Sequence, residues 1–260
     1  MRIKAVKISK IKRAFGFNSD NSGIMTRYLD ESSNWKQHLH NTKDFILKNA
    51  EGKEKNTCLI LGSGWCLDIP VTELSEIFNT VILADIIHPR QVEHKFGKIP
   101  NVSFLTVDIT GILEPLYCYH KKLRQKVNFK EYITGAEFQN FIEKINPDYV
   151  VSVNILSQLS FFPVEFIIKH HLADKNDQQK LKKAVENNHL NILPIGKSAI
   201  VTDYYEYEYG INDNILNEKS RLSISLSEKR IQKEWIWDFD LSGNYYTGNP
   251  VKFKVAALRV

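Results

Sequence analysis

The chain has 260 residues, 43% of them hydrophobic, which is enough to bury the core of one large domain. Its 35 basic and 30 acidic residues give a formal net charge of +5, too small by itself to indicate a nucleic-acid partner. Three cysteines without metal-ligand spacing predict reduced thiols in a cytoplasmic protein without a metal site, and neither a signal peptide nor an apolar run of about 18 residues is indicated.

The first 55 residues are predicted to form a helical extension that caps a main domain spanning residues 56–260. Basic residues alternate with isoleucine and valine over residues 2–13. This pattern is typical of a solvated tail or an edge element, and the alternative is a segment that contacts a membrane surface or RNA. Residues 15–23 are rich in Asn, Ser, Asp and Gly, and they predict a loop.

A helix is predicted over residues 32–48, because a serine cap precedes apolar residues at helical spacing. Trp35 and His38 lie on this helix. A histidine on a packing helix is usually a core or surface residue, yet a helix just before a nucleotide-binding strand commonly covers the ligand. Both residues are therefore candidates for the substrate side of a binding site.

A strand, a glycine turn, a helix and a second strand are predicted between residues 58 and 85. The turn, residues 62–64, has the sequence Gly-Ser-Gly, and the second strand ends on Asp85, about 20 residues further on. Glycine allows a sharp turn and the close approach of a ligand, and an acid at the end of such a strand can bind ribose hydroxyls. The segment predicts a nucleotide cofactor site. Leu67 replaces the third glycine of the dinucleotide motif, and the alternative is a structural strand-turn-helix.

A third strand is predicted over residues 101–107 and ends at Asp108. This second acid could face an adenine amino group, and a helix cap is the alternative. Residues 111–146 are predicted to contain a basic helix and an amphipathic helix. The basic residues predict a solvated face, with a site for a phosphorylated or nucleic-acid substrate as the alternative. They are His120, Lys121, Lys122, Arg124 and Lys126.

The apolar residues 149–153 predict a central parallel strand that is covered on both faces. Small polar residues follow it at the sheet edge where ligands of open α/β sheets bind. They are Asn154, Ser157 and Gln158. A fifth strand is predicted over residues 198–202, and it ends in Asp203 and Tyr204.

Residues 212–230 predict a polar helix, and residues 233–239 and 252–259 predict two strands that form an antiparallel pair. The aromatic residues of this part are interpreted as packing residues rather than a stacking platform for nucleic acid. They are Trp235, Trp237, Tyr245 and Tyr246. The whole pattern predicts an α/β fold: a Rossmann-like three-layer sandwich with a mostly parallel, seven-stranded sheet and a C-terminal antiparallel hairpin.

This architecture, with the motifs LGSGWCLDIPVTELSEIFNTVILADI and VVSVNILSQL, resembles the class I S-adenosylmethionine-dependent methyltransferases. Within them it is similar to a poorly characterised bacterial branch with a G-x-G-x-x-x-D motif. The resemblance covers roughly residues 56–260 and implies an S-adenosylmethionine cofactor and an unidentified, small-molecule methyl acceptor. It also implies these cofactor-binding residues: Gly62, Ser63 and Gly64 at the methionine end, Asp85 at the ribose, Asp108 and Ile109 around the adenine, Asn154 beside the sulfur, and in addition Asp68 and Ile86.

The sequence departs from that family at the end of the first strand, where Ile60 and Leu61 replace the usual acid and Asp68 is the substitute carboxylate. Two alternatives to a methyltransferase remain: a catalytically inactive relative that binds a nucleotide or a partner, and an NAD-dependent oxidoreductase. The candidates for a catalytic base are Asp203, Tyr204, Gln158 and His38, and turn or packing roles are the alternative for the first two.

Overall fold

The computed structural model describes residues 8–122, 136–210, 212–244 and 248–260. Within them, eight strands form one sheet. They are β1 (Thr57–Leu61), β2 (Thr80–Asp85), β3 (Val102–Thr106), β4 (Tyr149–Val153), β5 (Ser198–Tyr209), β6 (Ile215–Ser220), β7 (Ile231–Asp240) and β8 (Val251–Arg259). The strand order is β3-β2-β1-β4-β5-β8-β7, and β6 pairs with β5 off this path.

The helices of the described residues connect and cover these strands. They are α1 (Ile8–Phe15), α2 (Phe17–Asp30), α3 (Ser32–Ala50), α4 (Val71–Ile77), α5 (Arg90–Phe96), α6 (Leu113–Lys122), α7 (Ala136–Ile145), α8 (Phe161–Lys169) and α9 (Lys175–Ile192), with a 3₁₀ turn at Glu228–Arg230. The predicted helix over residues 32–48 is confirmed by α3.

Strands β1 to β5 are parallel, as predicted from the sequence. In β1, Ile60 pairs with Leu83 of β2 and with Val151 of β4. All of β4 is buried, because helices cover both faces of the sheet and leave no face for water. The carboxyl ends of β1, β2, β3 and β4 therefore meet at one edge of the sheet.

The other end of the sheet is antiparallel, because β8 inserts between β5 and β7 and runs against both. The predicted end of β5 at residue 202 is wrong, since the strand continues to Tyr209 past a bulge between Asp203 and Tyr205. The predicted helix over residues 212–230 is also wrong. Part of that segment is β6, which pairs with the prolonged half of β5 and adds an eighth strand to the seven that were predicted.

The N-terminal region is helical where the sequence predicted a loop and a solvated tail. Phe15 stacks on Phe166 with 4.3 Å between ring centroids, and Phe17 packs on Phe162 at 4.1 Å. Gly16, with φ of +82°, makes the break between α1 and α2. Packing of these aromatic rings against α8 explains why the loop prediction for residues 15–23 is wrong. Residues 2–7 of the basic segment lie outside the described residues.

Helix α3 belongs to the main hydrophobic core rather than to a separate unit. Its Trp35, Phe45 and Ile46 are buried in one cluster with residues of β1, β4 and β8. The Trp35 indole N–H donates to the carbonyl of Phe239 at 2.9 Å, which ties α3 to β7. Helix α3 and the sheet thus share one core, whereas Ile11 and Phe15 of α1 belong to a second cluster formed by helices.

The fold is a mixed α/β sandwich with a mostly parallel sheet and an antiparallel C-terminal part, which confirms the predicted fold class. No helix among the described residues is long and apolar enough to cross a membrane. None of the three cysteines forms a disulfide within the described residues, and burial raises the pKa of Cys58 and Cys66, so both are neutral.

Candidate functional site

The turn after β1 contains two glycines, and the structure requires glycine at each of them for a different reason. Both have positive φ, +83° at Gly62 and +38° at Gly64. A Cβ on Gly62 would lie 2.1 Å from Ile155 Cγ2 and 2.8 Å from the carbonyl oxygen of Val153. At Gly64 the nearest atom would be Asp85 Oδ2 at 3.8 Å, an ordinary contact. Gly62 is therefore required by packing within the chain, whereas Gly64 leaves open space beside an acid.

Asp85 is held at the end of β2 by the backbone around it. Its Oδ2 accepts a hydrogen bond from the Gly64 amide at 2.8 Å, and its Oδ1 accepts one from the Ile87 amide at 3.1 Å. Burial raises the pKa of this carboxyl, although the two amide hydrogen bonds oppose that change. The structure thus brings the glycine turn and Asp85 together, with the carboxylate orienting the turn.

Asp108 caps helix α6, the alternative that the sequence left open. Its Oδ1 accepts from the Thr110 amide at 2.9 Å and from the Thr110 hydroxyl at 2.6 Å, and its Oδ2 accepts from the Leu113 amide at 2.9 Å. Burial raises the pKa of this carboxyl too. Asp108 and its neighbour Ile109 line the same cavity as Asp85. Asp108 therefore caps the helix and also lies at the carboxyl edge of the sheet.

A polar chain of side chains joins α3, the glycine turn, β4 and β7. The amide nitrogen of Asn154 lies 2.6 Å from Asp68 Oδ2 and 3.1 Å from His38 Nε2, and the Trp235 indole N–H donates to His38 Nδ1 at 3.1 Å. The His38 ring stacks on Trp237 with 3.8 Å between centroids and 6° between planes. Burial lowers the pKa of His38 to about 3, so this imidazole is neutral at physiological pH.

The protonation of that chain follows from what each group can donate. An indole N–H only donates, so Nδ1 of neutral His38 accepts and the ring proton lies on Nε2. The Asn154 amide atom facing Nε2 must then accept, and an amide is turned to suit its hydrogen bonds. With the oxygen in that place, the 2.6 Å contact is an O–H···O bond donated by protonated Asp68. Burial raises the pKa of Asp68, which agrees with a neutral carboxyl there.

One cavity of about 330 Å³ lies against the carboxyl edge of the sheet. The residues that the sequence predicted for a cofactor all line it: Gly62, Ser63, Gly64, Asp68, Asp85, Ile86, Asp108, Ile109 and Asn154. Trp65 also lines the cavity and packs against the core, so its indole does not close the space. A volume of this size is typical of small-molecule and cofactor sites.

Three of the four candidate bases line the cavity in the structure, and one does not. His38, Gln158 and Asp203 line the cavity, and Tyr204 is not among its lining residues. Tyr204 donates instead to Glu234 beside Lys254, and burial with this carboxylate raises the pKa of the phenol to about 12. Its side chain is directed away because the bulge after Asp203 changes the alternation along β5.

The candidate bases Asp203 and Gln158, which line the cavity, already form hydrogen bonds or ion pairs within the chain. Asp203 is buried, accepts from the Ser157 hydroxyl at 2.8 Å and pairs with Arg221. Gln158 donates to the Asn154 carbonyl at 2.8 Å. These contacts hold both side chains in fixed positions at the cavity.

Several cavity residues were missed by the sequence, or were interpreted only as packing residues. Trp237, Phe239 and Phe253 of β7 and β8 form an aromatic wall, and Arg27 and Arg221 lie on it. The alternation of Trp237 and Phe239 was visible in the sequence, but nothing in it placed β8 beside β5. Tyr245 and Tyr246 lie outside the described residues.

The predicted basic patch is only partly within the described residues. The His120 ring lies against that of His170 with 3.8 Å between ring centroids and 35° between ring planes, and Lys121 is exposed. His120 and Lys121 both belong to α6, and neither lines the cavity. The side chain of Lys122, and Arg124 and Lys126, lie outside the described part.

Together these features place the chain among Rossmann-like α/β proteins with a ligand cavity at the carboxyl edge of the sheet. No protein-family model matches the sequence, and a search of curated proteins finds no match.

Among solved structures, the chain is similar to the N-methyltransferase NodS from Bradyrhizobium japonicum WM9 in complex with S-adenosyl-L-homocysteine. The identity is 10%, the TM-score is 0.41, and 86% of each chain is covered. It is also similar to the DhpI-SAM-HEP complex, with 12% identity, a TM-score of 0.38, and 93% of this chain and 96% of the other covered. A SAM-dependent methyltransferase from Leishmania major is 9% identical, with a TM-score of 0.33 and 90% and 82% covered.

Proposed function

We propose that the chain is an S-adenosylmethionine-dependent methyltransferase that acts on a small-molecule acceptor. The observation that carries this proposal is the convergence of the glycine turn, Asp68, Asp85 and Asp108 on one cavity. The strand order supports it, because the sheet ends in an antiparallel pair rather than in the sixth parallel strand of a dinucleotide-binding sheet. The sequence resemblance to class I methyltransferases rests on the same elements.

The cavity has polar groups that fit such a cofactor. Ser63 is 2% exposed, and neither its hydroxyl nor the second amide atom of Asn154 has a hydrogen-bond partner within the described part of the chain. Buried polar atoms without partners are rare, and a bound polar ligand is one explanation for them. Gly64 adds room beside Asp85. Asp85 would hold the ribose, Asp108 and Ile109 would hold the adenine, and the second oxygen of neutral Asp68 would accept a hydrogen bond from the amino group.

The bound cofactor supplies a methyl group on a sulfonium centre, and the chain supplies position and exclusion of water. Asn154 and His38 form a rigid, neutral wall, because Trp235 and Trp237 fix the imidazole by a hydrogen bond and a ring stack. A histidine with a pKa of about 3 is a weak base, and Asp203 is ion-paired. This favours an acceptor whose nucleophile is uncharged or already deprotonated at neutral pH.

A second candidate function is a binding protein without methyltransferase activity. It is favoured by Asp85 and Asp108, since both carboxylates already accept hydrogen bonds from the chain. An NAD-dependent oxidoreductase is the weaker candidate, because Cys66 and Leu67 occupy the end of the turn and the sheet ends antiparallel.

Calorimetry with S-adenosylmethionine, S-adenosylhomocysteine and NAD tests the proposal. We expect the two adenosyl ligands to bind and the Asp85→Ala variant to lose about tenfold or more in affinity. The matched control is Asp148→Ala, because Asp148 accepts from the amides of Asn56 and Thr57 outside the cavity. Binding of NAD alone would support the oxidoreductase. Binding of the adenosyl ligands without methyl transfer to any acceptor would support the inactive relative.

A further inference from the structure

The hydrogen bonds through His38 decide which end of the Asn154 amide faces the rest of the chain. The Trp235 indole N–H donates to His38 Nδ1 at 3.1 Å, so the proton of this neutral ring lies on Nε2. His38 Nε2, at 3.1 Å, and the Asp68 carboxyl, at 2.6 Å, both contact the same atom of the Asn154 amide. Because that atom accepts from Nε2–H, it is the oxygen, and the other end of the amide is the NH2 group.

The NH2 group of Asn154 is a donor that the described part of the chain does not use. Asn154 lines the cavity, and its second amide atom is buried without a hydrogen-bond partner among the described residues. The amide is held in this orientation, because turning it over would set its NH2 group against His38 Nε2–H. The His38 ring is itself buried and stacked on Trp237 with 3.8 Å between centroids. Asn154 therefore offers a ligand a donor of fixed direction.

Asn154 lies in the middle of the sheet edge that the cavity follows. It comes directly after β4, and the strand order places β4 between β3, β2 and β1 on one side and β5, β8 and β7 on the other. The proposed adenosine ligands Asp85 and Asp108 follow β2 and β3, so the space beside β5 is left for the methyl acceptor. The Asn154 amide is thus at the boundary between the two ligands.

We propose that the NH2 group of Asn154 binds the nucleophile of the methyl acceptor, and that this nucleophile is an oxygen that is deprotonated at neutral pH. The substrate class is a small organic acid that is methylated on its own oxyanion, a carboxylic acid or an acidic phenol. This inference rests on the proposed methyltransferase function for the identity of the bound group, whereas the donor character of Asn154 does not.

The chemistry of the nucleophile explains the choice of oxygen. An oxyanion has one lone pair for the methyl group and further lone pairs that accept from Asn154. An uncharged amine spends its single lone pair on the methyl group, and its N–H groups would face another donor. In transfer to an oxyanion the O–C bond forms as the S–C bond breaks, the electron pair stays on sulfur, and no proton is released. This suits a cavity in which His38, with a pKa of about 3, is a weak base.

The first test compares two probes of nearly the same shape, 4-nitrophenol and 4-nitroaniline, on the full chain saturated with S-adenosylhomocysteine at pH 8. Absorbance titration should show that the phenolate binds about tenfold or more tightly than the aniline. Asn154→Asp keeps an acceptor for His38 and Asp68 and replaces the NH2 group by an oxygen, so we expect the preference to disappear or reverse. Asn217→Asp, which makes the same change of charge at an exposed residue outside the cavity, should keep it.

The second test concerns Trp235 as a positioning residue, because Trp235 is not among the residues that line the cavity. In Trp235→Phe the indole donor is lost, so His38 can carry its proton on Nδ1 and the Asn154 amide can turn over. We expect the preference for the phenolate to fall to about threefold or less. Nitrogen-15 NMR should show the His38 proton on Nε2 in the wild type and partly on Nδ1 in the variant, a change that a loss of packing alone would not cause.

Four outcomes would overturn the proposal: the aniline binds as tightly as the phenolate, the preference survives in Asn154→Asp, neither probe binds at millimolar concentration, or the wild-type His38 carries its proton on Nδ1. Titrations without S-adenosylhomocysteine separate this proposal from the proposed function. If the adenosyl ligand fails to bind, the methyltransferase is contradicted, and the probe preference and the NMR measurement still test the Asn154 donor. Thermal unfolding checks that each variant is folded, and if Asn154→Asp is not, Trp235→Phe decides.

Discussion

Replacement of Gly62 by alanine should destabilise the protein far more than the same change at Gly64. Both residues have positive φ, which is worth about 1–2 kcal/mol against a residue with a Cβ. Only at Gly62 does the new Cβ collide, at 2.1 Å from Ile155 Cγ2 and 2.8 Å from the Val153 carbonyl. Overpacking of this kind adds about 1–3 kcal/mol. The expected loss of unfolding free energy is about 2–5 kcal/mol for Gly62→Ala and about 1–2 kcal/mol for Gly64→Ala.

Thermal unfolding measures the difference directly. For a chain of this size, 1 kcal/mol shifts the midpoint by about 2–4 °C, so we expect a fall of about 4–20 °C for Gly62→Ala. A double-mutant cycle with Ile155→Ala tests the cause, since that change removes the Cγ2 atom. We expect a favourable coupling of about 1 kcal/mol or more, with incomplete recovery because the Val153 carbonyl remains.

The ligand assay separates packing from binding at the same two positions. Gly64→Ala should weaken S-adenosylhomocysteine binding although it loses less stability than Gly62→Ala, because its Cβ lies 3.8 Å from Asp85 Oδ2. Equal midpoints for the two alanine variants, a larger loss at Gly64, or zero coupling between Gly62 and Ile155 would refute this reasoning.

Three further predictions concern buried ionisable side chains. In urea unfolding at pH 8, the Asp68→Asn variant should be as stable as the wild type or more stable. Burial raises the pKa of Asp68, so the wild type loses stability as the pH rises from about 3.9 to the pKa of the folded state. Calorimetry should show that the variant binds S-adenosylhomocysteine about tenfold or more weakly, and a destabilised variant with intact binding would contradict both parts. His38 and His189 are neutral in the folded protein, with pKa values of about 3 and about 4. Each should lower the unfolding free energy by about 2 kcal/mol when the pH falls from 7.5 to 5, because both histidines bind protons in the unfolded chain over this range. His189→Gln should remove about half of this pH dependence in urea unfolding, and an unchanged pH profile would contradict the prediction. Arg221→Met should cost about 3–5 kcal/mol, because it leaves buried Asp203 without its cation and takes one of two cations from buried Glu206, which keeps Lys219. Lys180→Met, in an exposed pair, should cost less than about 1 kcal/mol, and similar urea midpoints for the two variants would count against this prediction.

The centre of the fold could be predicted because its local signals agree with each other. The buried strand at residues 58–61, the glycine turn and the strand ending at Asp85 combine continuous apolar runs with turn residues, and the parallel sheet follows from them. The loop prediction at residues 15–23 was wrong because Phe15 and Phe17 gain contacts with α8 that composition does not reveal. The strand β6 was missed because all its residues are exposed, so no alternation of burial marks it.

The site could be predicted only where function coincides with sheet topology. Asp85 and Asn154 lie at strand ends, and strand ends meet at one edge of a parallel sheet. The aromatic wall could not be predicted, because it depends on β8 entering between β5 and β7. The outward direction of Tyr204 depends on a bulge, which single-residue patterns do not encode.

The hydrogen bond between Trp235 and His38 has a consequence for the order in which the nascent protein acquires its cavity. It joins positions 197 residues apart, so a ribosome that adds about 5–20 residues per second needs roughly 10–40 s between them. During that time β1 to β4 can already pair, while α3 waits without the strand that covers its tryptophan and histidine. Until β7 emerges, this apolar helix face is a natural client for a chaperone.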